Sequence, residues 1–404
     1  MGGFKPTEKS KNGGRTPGKI NASLNGKLKN VEWGKYKLGD LFEVNTPKKR
    51  FDANKVTILD KGKYPYIVRM GNNNGQRGYI IEDEKYLNEG NTISFGQDTA
   101  TAYYQEKPYF TGDKIKVLKP KIKLFCKRNA FFFLTAIANA FISFSWGSSS
   151  FNVSVIKNQE LYLPITKNGE INFDFMESFI AELEAERIAE LSAYLKVSGF
   201  DNYELSAQEL KALENLKTIS WNEYRIGELF NKIKTKKLAY KAKELPNVPT
   251  GEFVLPCLTS SFQNQGLNYY VPKAGATILK NVITIPQNSD VYRAYYQSND
   301  FTVLSDAYAM DWIYDDNKLT RNQYLFMVMC INKVTDLPIY SYKNKLGGWN
   351  VVKDKYILLP TTNGKIDLDF MDAFISAVIK LAIKDVVVYT DRKIKATKQV
   401  VSCK

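Results

Sequence analysis

The 404-residue sequence contains no histidine. That absence removes imidazole acid–base catalysis, Ser–His and Cys–His nucleophile pairs, and histidine-ligated metals. Cysteine is sparse: Cys126, Cys257, Cys330 and Cys403 lie far apart with no C-x-x-C pair. Neither a zinc knuckle nor a disulfide framework is indicated, and a reducing cytoplasm is the expected location. Long apolar runs are also missing. The most apolar stretch, Ala130 to Trp146, has 17 residues with Asn139 near its middle, which predicts a buried helix rather than a membrane span. No apolar signal region opens the chain. The acids are scattered, without the tight carboxylate cluster of a metal-dependent nuclease. Gly13 to Ile20 resembles a phosphate-binding GxxxxGK[ST] loop, but Ile20 lacks the required hydroxyl and no strand precedes it. There is no G-x-G-x-x-G unit and no Asn-Pro-Pro-Tyr or Asp-Pro-Pro-Tyr signature of an amino-methyltransferase. The chain is expected to hold no catalytic centre, cofactor or metal.

What is present is ample core material, 44% hydrophobic and 13% aromatic, enough for two or three domains. Lys and Arg number 57 against 42 Asp and Glu, a formal charge of +15 that favours a polyanionic partner, nucleic acid before membrane. Residues 1–30 carry seven of the basic side chains and one acid, and read as a basic flexible tail.

The second half of the chain repeats the first. Trp33-Gly-Lys-Tyr-Lys-Leu-Gly-Asp-Leu-Phe42 lies over Trp221-Asn-Glu-Tyr-Arg-Ile-Gly-Glu-Leu-Phe230, an offset of 188 residues. Ala102-Tyr-Tyr-Gln105 matches Ala294-Tyr-Tyr-Gln297, and Asn91-x-Ile93 with Gln97 matches Asn281-x-Ile283 with Gln287. Leu163 to Ile180 matches Leu359 to Ile375 with one residue deleted. A period this long means duplicated domains, not a solenoid. Each copy reads as short strands and turns, such as Lys63–Val68 and Asn91–Phe95, followed by a helix. From Phe173 to Val197 the apolar residues recur every three or four positions, and Gly199 marks the stop. Ser206-x-x-Glu209 has the form of a capping box opening a short helix with Leu210, Leu213 and Leu216 as its apolar positions. The matched stripes Phe175, Met176, Phe179, Ile180 and Leu183, and Phe370, Met371, Phe374, Ile375 and Val378, are expected to pack the two long helices against each other as an antiparallel two-helix spacer.

The loops are rich in groups that read base edges. In the first copy these are Arg69, Asn72, Asn73, Asn74, Gln76 and Arg77, then Gln97, Thr99 and Tyr103; in the second, Ser260, Ser261, Gln263, Asn264 and Gln265, then Gln287, Asn288, Ser289 and Arg293. Asn and Gln can pair bidentately with adenine and Arg with guanine. Asn-Gly runs also simply make turns, and both readings stand at this point. Lys48, Lys49 and Arg50, with Lys234, Lys236 and Lys237, suit phosphate contacts that position without specifying.

The duplicated Leu-Pro to Phe-Met runs with their helices, the opening Trp-to-Phe segment of each half, Leu195 to Ser206 and Ile383 to Lys393 together resemble the specificity (S) subunit of type I restriction-modification systems and the related type IIB specificity subunits. The resemblance covers roughly residues 31–400. It implies two target recognition domains that each read half of an asymmetric bipartite site on double-stranded DNA, with long helices between them. It also implies partners: methyltransferase subunits using S-adenosylmethionine, and a motor-nuclease subunit using ATP and Mg. The fold expected is mixed α/β (α+β): a tail at 1–30, recognition domains at 31–165 and 218–361, and spacer helices at 166–217 and 362–404. A self-contained DNA endonuclease and a duplicated protein-interaction scaffold are the alternatives.

Overall fold

The computed structural model describes residues 21–144, 151–261, 263–287, 292–304, 306–337 and 346–402, the last six without side chains. Asn288, Ser289, Cys403 and the near-miss phosphate loop at 13–20 lie outside the described residues. The chain divides into two compact units, one running to Leu191 and including the residues from Ile394 onward, the other Ser192–Lys393.

In the first unit an antiparallel sheet runs in the order Phe42–Asn45, Ile115–Pro120, Thr92–Gly96, Thr101–Gln105. Thr92–Gly96 is buried throughout, as a strand with neighbours on both edges and a helix over it should be. The helix Lys127–Ala140 turns Phe133, Ala136 and Ile137 onto Phe42, Ile93, Phe95 and Leu118, which confirms most of the apolar run as a partly buried helix. A smaller sheet sets Pro65–Ile67 between Gln76–Tyr79, antiparallel, and Phe110–Thr111, parallel. A third pairs Glu32–Lys37 with Glu160–Ile165.

The second unit repeats this arrangement and adds one short strand, Lys365–Ile366, beside Tyr356–Thr362. Its large sheet runs Phe230–Lys232, Ala307–Trp312, Val282–Pro286, Tyr295–Gln297; its small sheet Leu267–Pro272, Phe253–Leu258, Thr302–Val303; and Ser220–Arg225 pairs with Tyr356–Thr362. Helix Arg321–Thr335 covers the large sheet with Phe326, Met327, Cys330 and Ile331. Burial pushes the thiols of Cys257 and Cys330 up to about 12, so both behave as core hydrophobes.

The long helices form where periodicity places them, at Phe173–Val197 and Leu368–Ser402. Gly199, at φ 68°, ends the first: its amide donates to Lys196 O at 3.1 Å, and that of Phe200 to Leu195 O at 2.7 Å. The expected role of their stripes needs correction. Met176 lies in the first core; Phe175, Phe179, Ile180 and Leu183 cluster with Leu24 and Leu28; Phe370, Met371, Ile375 and Phe374 belong to the second core. The early turns of each helix therefore anchor it to its own recognition domain, because a short domain needs the helix as a wall. Val378 alone of the ten is exposed. Segments 173–191 and 368–393 belong to the two units rather than to separate spacer domains.

Two further expectations are overturned. Residues 22–30 are not tail: Ala22–Asn30 is a helix whose first turn is capped by Asn21 Oδ1, which accepts from Leu24 N at 2.7 Å. Leu24 packs on Phe179 and Ile180, and Lys27 pairs with Glu182 at 2.6 Å. Its counterpart before the second domain is the helix Ala207–Asn215. That helix does open with the Ser206–Glu209 capping box, but it buries Glu209 and Ala212 while Leu210 and Leu216 face solvent. The capping geometry sets this rotation, since Glu209 must reach back to Ser206 N and also meets Ser376 Oγ at 2.6 Å and Lys380 Nζ at 2.9 Å.

Candidate nucleic-acid interface

Each small sheet ends in the turn that the sequence marks as a reader. In the first unit the turn Asn73–Gly75 follows strand 65–67; in the second, Gln263–Gly266 follows strand 253–258. Asn73, Asn74, Asn264 and Gln265 all have left-handed φ, between 46° and 55°. Gly75 and Gly266 close the turns at φ 73° and 85°, where a Cβ would meet Val68 O at 3.2 Å and Leu258 Cδ1 at 2.5 Å respectively. Val68 N and Thr259 N donate back to the carbonyls of Gly75 and Gly266 at 2.8 and 3.0 Å, so the two loops are equivalent residue by residue.

The duplicated motifs hold these turns in place. Gln105 Nε2 donates to Asn74 O at 3.2 Å and Ser94 Oγ at 2.9 Å; Gln297 Nε2 donates to Gln265 O at 3.1 Å and Thr284 Oγ1 at 3.1 Å. Both glutamines are buried. Likewise Tyr104 OH donates to Asn91 Oδ1 at 3.0 Å and Tyr296 OH to Asn281 Oδ1 at 2.9 Å. The Ala-Tyr-Tyr-Gln repeat thus welds each turn to the sheet beneath. Repetition marks these residues, but the turn carbonyls that the two glutamines hold lie some thirty positions away, which a motif does not disclose.

Several sequence candidates also make scaffolding bonds. Asn73 Nδ2 donates to Gln76 O at 2.7 Å and Asn264 Nδ2 to Leu267 O at 2.6 Å, bonds local to their turns, while Asn74 Nδ2 donates to Tyr104 O at 3.1 Å on a strand 30 residues away. Gln97 Nε2 donates to Phe151 O at 2.6 Å, Tyr103 OH to Met70 O at 3.2 Å, and Thr99 Oγ1 shares a hydrogen with Thr101 Oγ1 at 2.9 Å. Arg293 is committed to Asp336, with Nε at 2.9 Å and Nη2 at 2.7 Å. Each of these side chains thus spends one or two donors on an internal partner. Asn72, Arg77, Gln263 and Gln265 are exposed at the tips, with Gln76, Ser260, Ser261 and Gln287 half-buried beside them. Arg69 pairs with Asp98 at 2.7 Å.

The phosphate candidates Lys48, Lys49, Arg50, Lys234, Lys236 and Lys237 are all exposed. Lys49 Nζ stands 4.7 Å above the Phe51 ring and 4.5 Å above that of Tyr86, and Arg50 approaches Asp113 at 3.5 Å. Lys116 carries no sequence signal: it is buried, donates to Thr46 Oγ1 at 3.0 Å, and its pKa is lowered by burial and by the neighbouring Arg50 charge. In the second unit, Ser260, Ser261, Gln263 and Asn264 edge a hollow of about 610 Å³ whose other wall includes Asn247, Asn268, Tyr269 and Tyr270. Nothing in the sequence marks that wall, since the first copy diverges there. Among the described residues no group of Cys, Asp or Glu gathers that could hold a metal ion, and no helix is long and apolar enough to cross a membrane.

The two units thus share one scaffold, and the residues at the tips of their small sheets differ. The chain belongs to the type I restriction modification DNA specificity domain family, whose model matches residues 30–193 and 219–387. Members are non-catalytic DNA-recognition proteins. The Type II restriction enzyme BgcI specificity subunit S.BcgI of Heyndrickxia coagulans is 25% identical over 349 residues, covering 85% of this chain and 94% of that protein. The fold is shared with the crystal structure of the type-I restriction-modification system S subunit from M. genitalium, at TM-score 0.55 and 16% identity over 95% of both chains.

Proposed function

We propose that this chain reads an asymmetric bipartite site on double-stranded DNA, one half per recognition domain, and docks methyltransferase and nuclease subunits that hold the S-adenosylmethionine, ATP and Mg. The observation that carries the reading is the pair of braces, Gln105 on the 73–75 turn and Gln297 on the 263–266 turn, which hold equivalent turns while the residues around them differ. Equal presentation with unequal tips supports two different half-sites. Exposed lysines in both units, Lys48 and Lys49 in the first and Lys234, Lys236 and Lys237 in the second, supply the sequence-independent attraction that sets register on the duplex. The relative named as a type II restriction enzyme subunit favours a second version, in which one partner chain combines methylase and nuclease.

Methylome sequencing of a host carrying the locus with its partner genes tests the reading. The expected result is a two-part motif with unlike halves separated by unspecified bases. A continuous or palindromic motif would overturn it. DNA cleavage by the purified chain with Mg alone would instead establish a self-contained endonuclease.

A further inference from the structure

Scaffold residues recur in both units, so a polar cluster built completely in one and replaced completely in the other is a candidate for specificity. One such cluster sits at the root of the first reading turn. Asp98 Oδ2 accepts from Arg69 Nη1 at 2.7 Å and from Lys114 Nζ at 2.8 Å. Asp98 rides on a fixed turn: its φ is 68°, Gln97 N donates to Lys114 O at 2.9 Å, and Thr99 N donates to Gln97 O at 2.8 Å. The shared backbone bonds define the equivalents. Val68 and Thr259 align as above, which sets Arg69 against Ser260; Gln97 N to Lys114 O aligns with Gln287 N to Asp306 O, which sets Lys114 against Asp306 and Asp98 against Asn288. All three members are exchanged together.

We infer that Asp98 is a positioning residue that aims the Arg69 guanidinium at a guanine, so that the first half-site, and not the second through this device, contains a guanine read from the turn root. This rests on the two-reader function proposed above. Asp98 occupies one end of the guanidinium through Nη1 and leaves the planar fork with further donors for guanine O6 and N7, the pairing that arginine makes in a major groove. Asp98 also restricts the rotamers of a long side chain before DNA arrives, which lowers the ordering cost on binding. Lys114 is the third part of the device. A lone carboxylate at a DNA-facing root would repel phosphate, whereas one acid between two bases leaves the cluster cationic. Arg69 is only one-third exposed and Asp98 one-fifth, so the pair is shielded enough to hold its geometry.

The test is methylation by the complete complex on a duplex library randomised across both half-sites. Wild-type complex should give two unlike halves with a guanine in the first; if it gives no bipartite motif, the two-reader function itself fails. If the motif is bipartite, R69K and D98N should each cut guanine preference at one position of the first half roughly ten-fold or more, because lysine keeps the ion pair but not the fork and asparagine keeps the shape but not the charge. The second half, read by the same molecules, should be unchanged and reports folding. The inference is overturned if the first half lacks a guanine on either strand, if both variants retain the preference, or if loss spreads evenly over the half-site as a mere loop brace would give.

Discussion

Replacing Gln105 with leucine should damage one half of the recognition site while leaving the other untouched. The side chain is buried and makes two hydrogen bonds, to Asn74 O and Ser94 Oγ. Leucine fills comparable volume but donates nothing. Each bond contributes about 1 kcal/mol net, and stranding a buried acceptor adds to that. Here the addition is small, because Asn74 is solvent-exposed and Ser94 Oγ still donates to Tyr103 O at 3.3 Å. The cost is therefore about 2 kcal/mol, small beside the stability of a whole domain but concentrated on one turn. A turn that must be reordered on binding at that cost loses roughly 30-fold in affinity for its cognate half. Competition binding of partner-loaded complex, with duplexes mutated in one half or the other, reads this directly. Q105L should flatten discrimination in the first half only, and Q297L, which removes bonds to Gln265 O and Thr284 Oγ1, in the second only. If either variant weakens both halves equally, or neither, the braces do not serve the reading turns.

Other outcomes follow from the same geometry. Burial alone would raise the pKa of Glu209, but hydrogen bonds from Ser376, Ser206 N and Lys380, with the lysine charge, hold it at about 2 against an ordinary 4.5. A depressed carboxyl stabilises above its unfolded pKa and ceases to as pH falls through the folded value, so E209A should cost about 3 kcal/mol at pH 7 and progressively less between pH 4.5 and 2, measured by denaturant unfolding of the second unit's signal. Equal cost at all pH values would contradict the ion-pair assignment. Changing Lys48, Lys49 and Arg50 together to glutamine should lower affinity for all duplexes alike and reduce the salt slope by about 0.9 for each phosphate no longer neutralised, close to 3 for the three residues. A change in the bases preferred would show that these residues specify rather than position. Gly75→Ala should weaken reading of the first half, since the φ of 73° and the 3.2 Å approach to Val68 O both oppose a Cβ, and a unit with unaltered half-site preference would refute that constraint.

The duplication and the long central helix are legible in the sequence because each rests on a signal longer than ten residues. Less is legible where the decisive partner is distant. Helix 22–30 contains Gly26, Asn25 and Asn30 and has little intrinsic preference to form; it exists because Leu24 and Lys27 find Phe179, Ile180 and Glu182 about 155 residues on. Leu210 and Leu216 suggest the wrong face because the cap and Lys380 together rotate Glu209 inward. The Asn-rich tips point to base reading, yet two of their amides close turns and a third, that of Asn74, reaches Tyr104 O. Arg293 has the side chain of a reader, but the fold brings Asp336 to it across 43 residues. Residue type alone does not tell an amide that closes a turn from one left at the surface.

The central claim is that one reader serves one half-site. Exchanging residues 31–165 for the matching domain of a relative, then sequencing the methylome of cells carrying the chimaera and its partner subunits, tests it most directly. The account predicts a motif in which one half is replaced and the other half is retained base for base. A motif altered in both halves, or in neither, would contradict it.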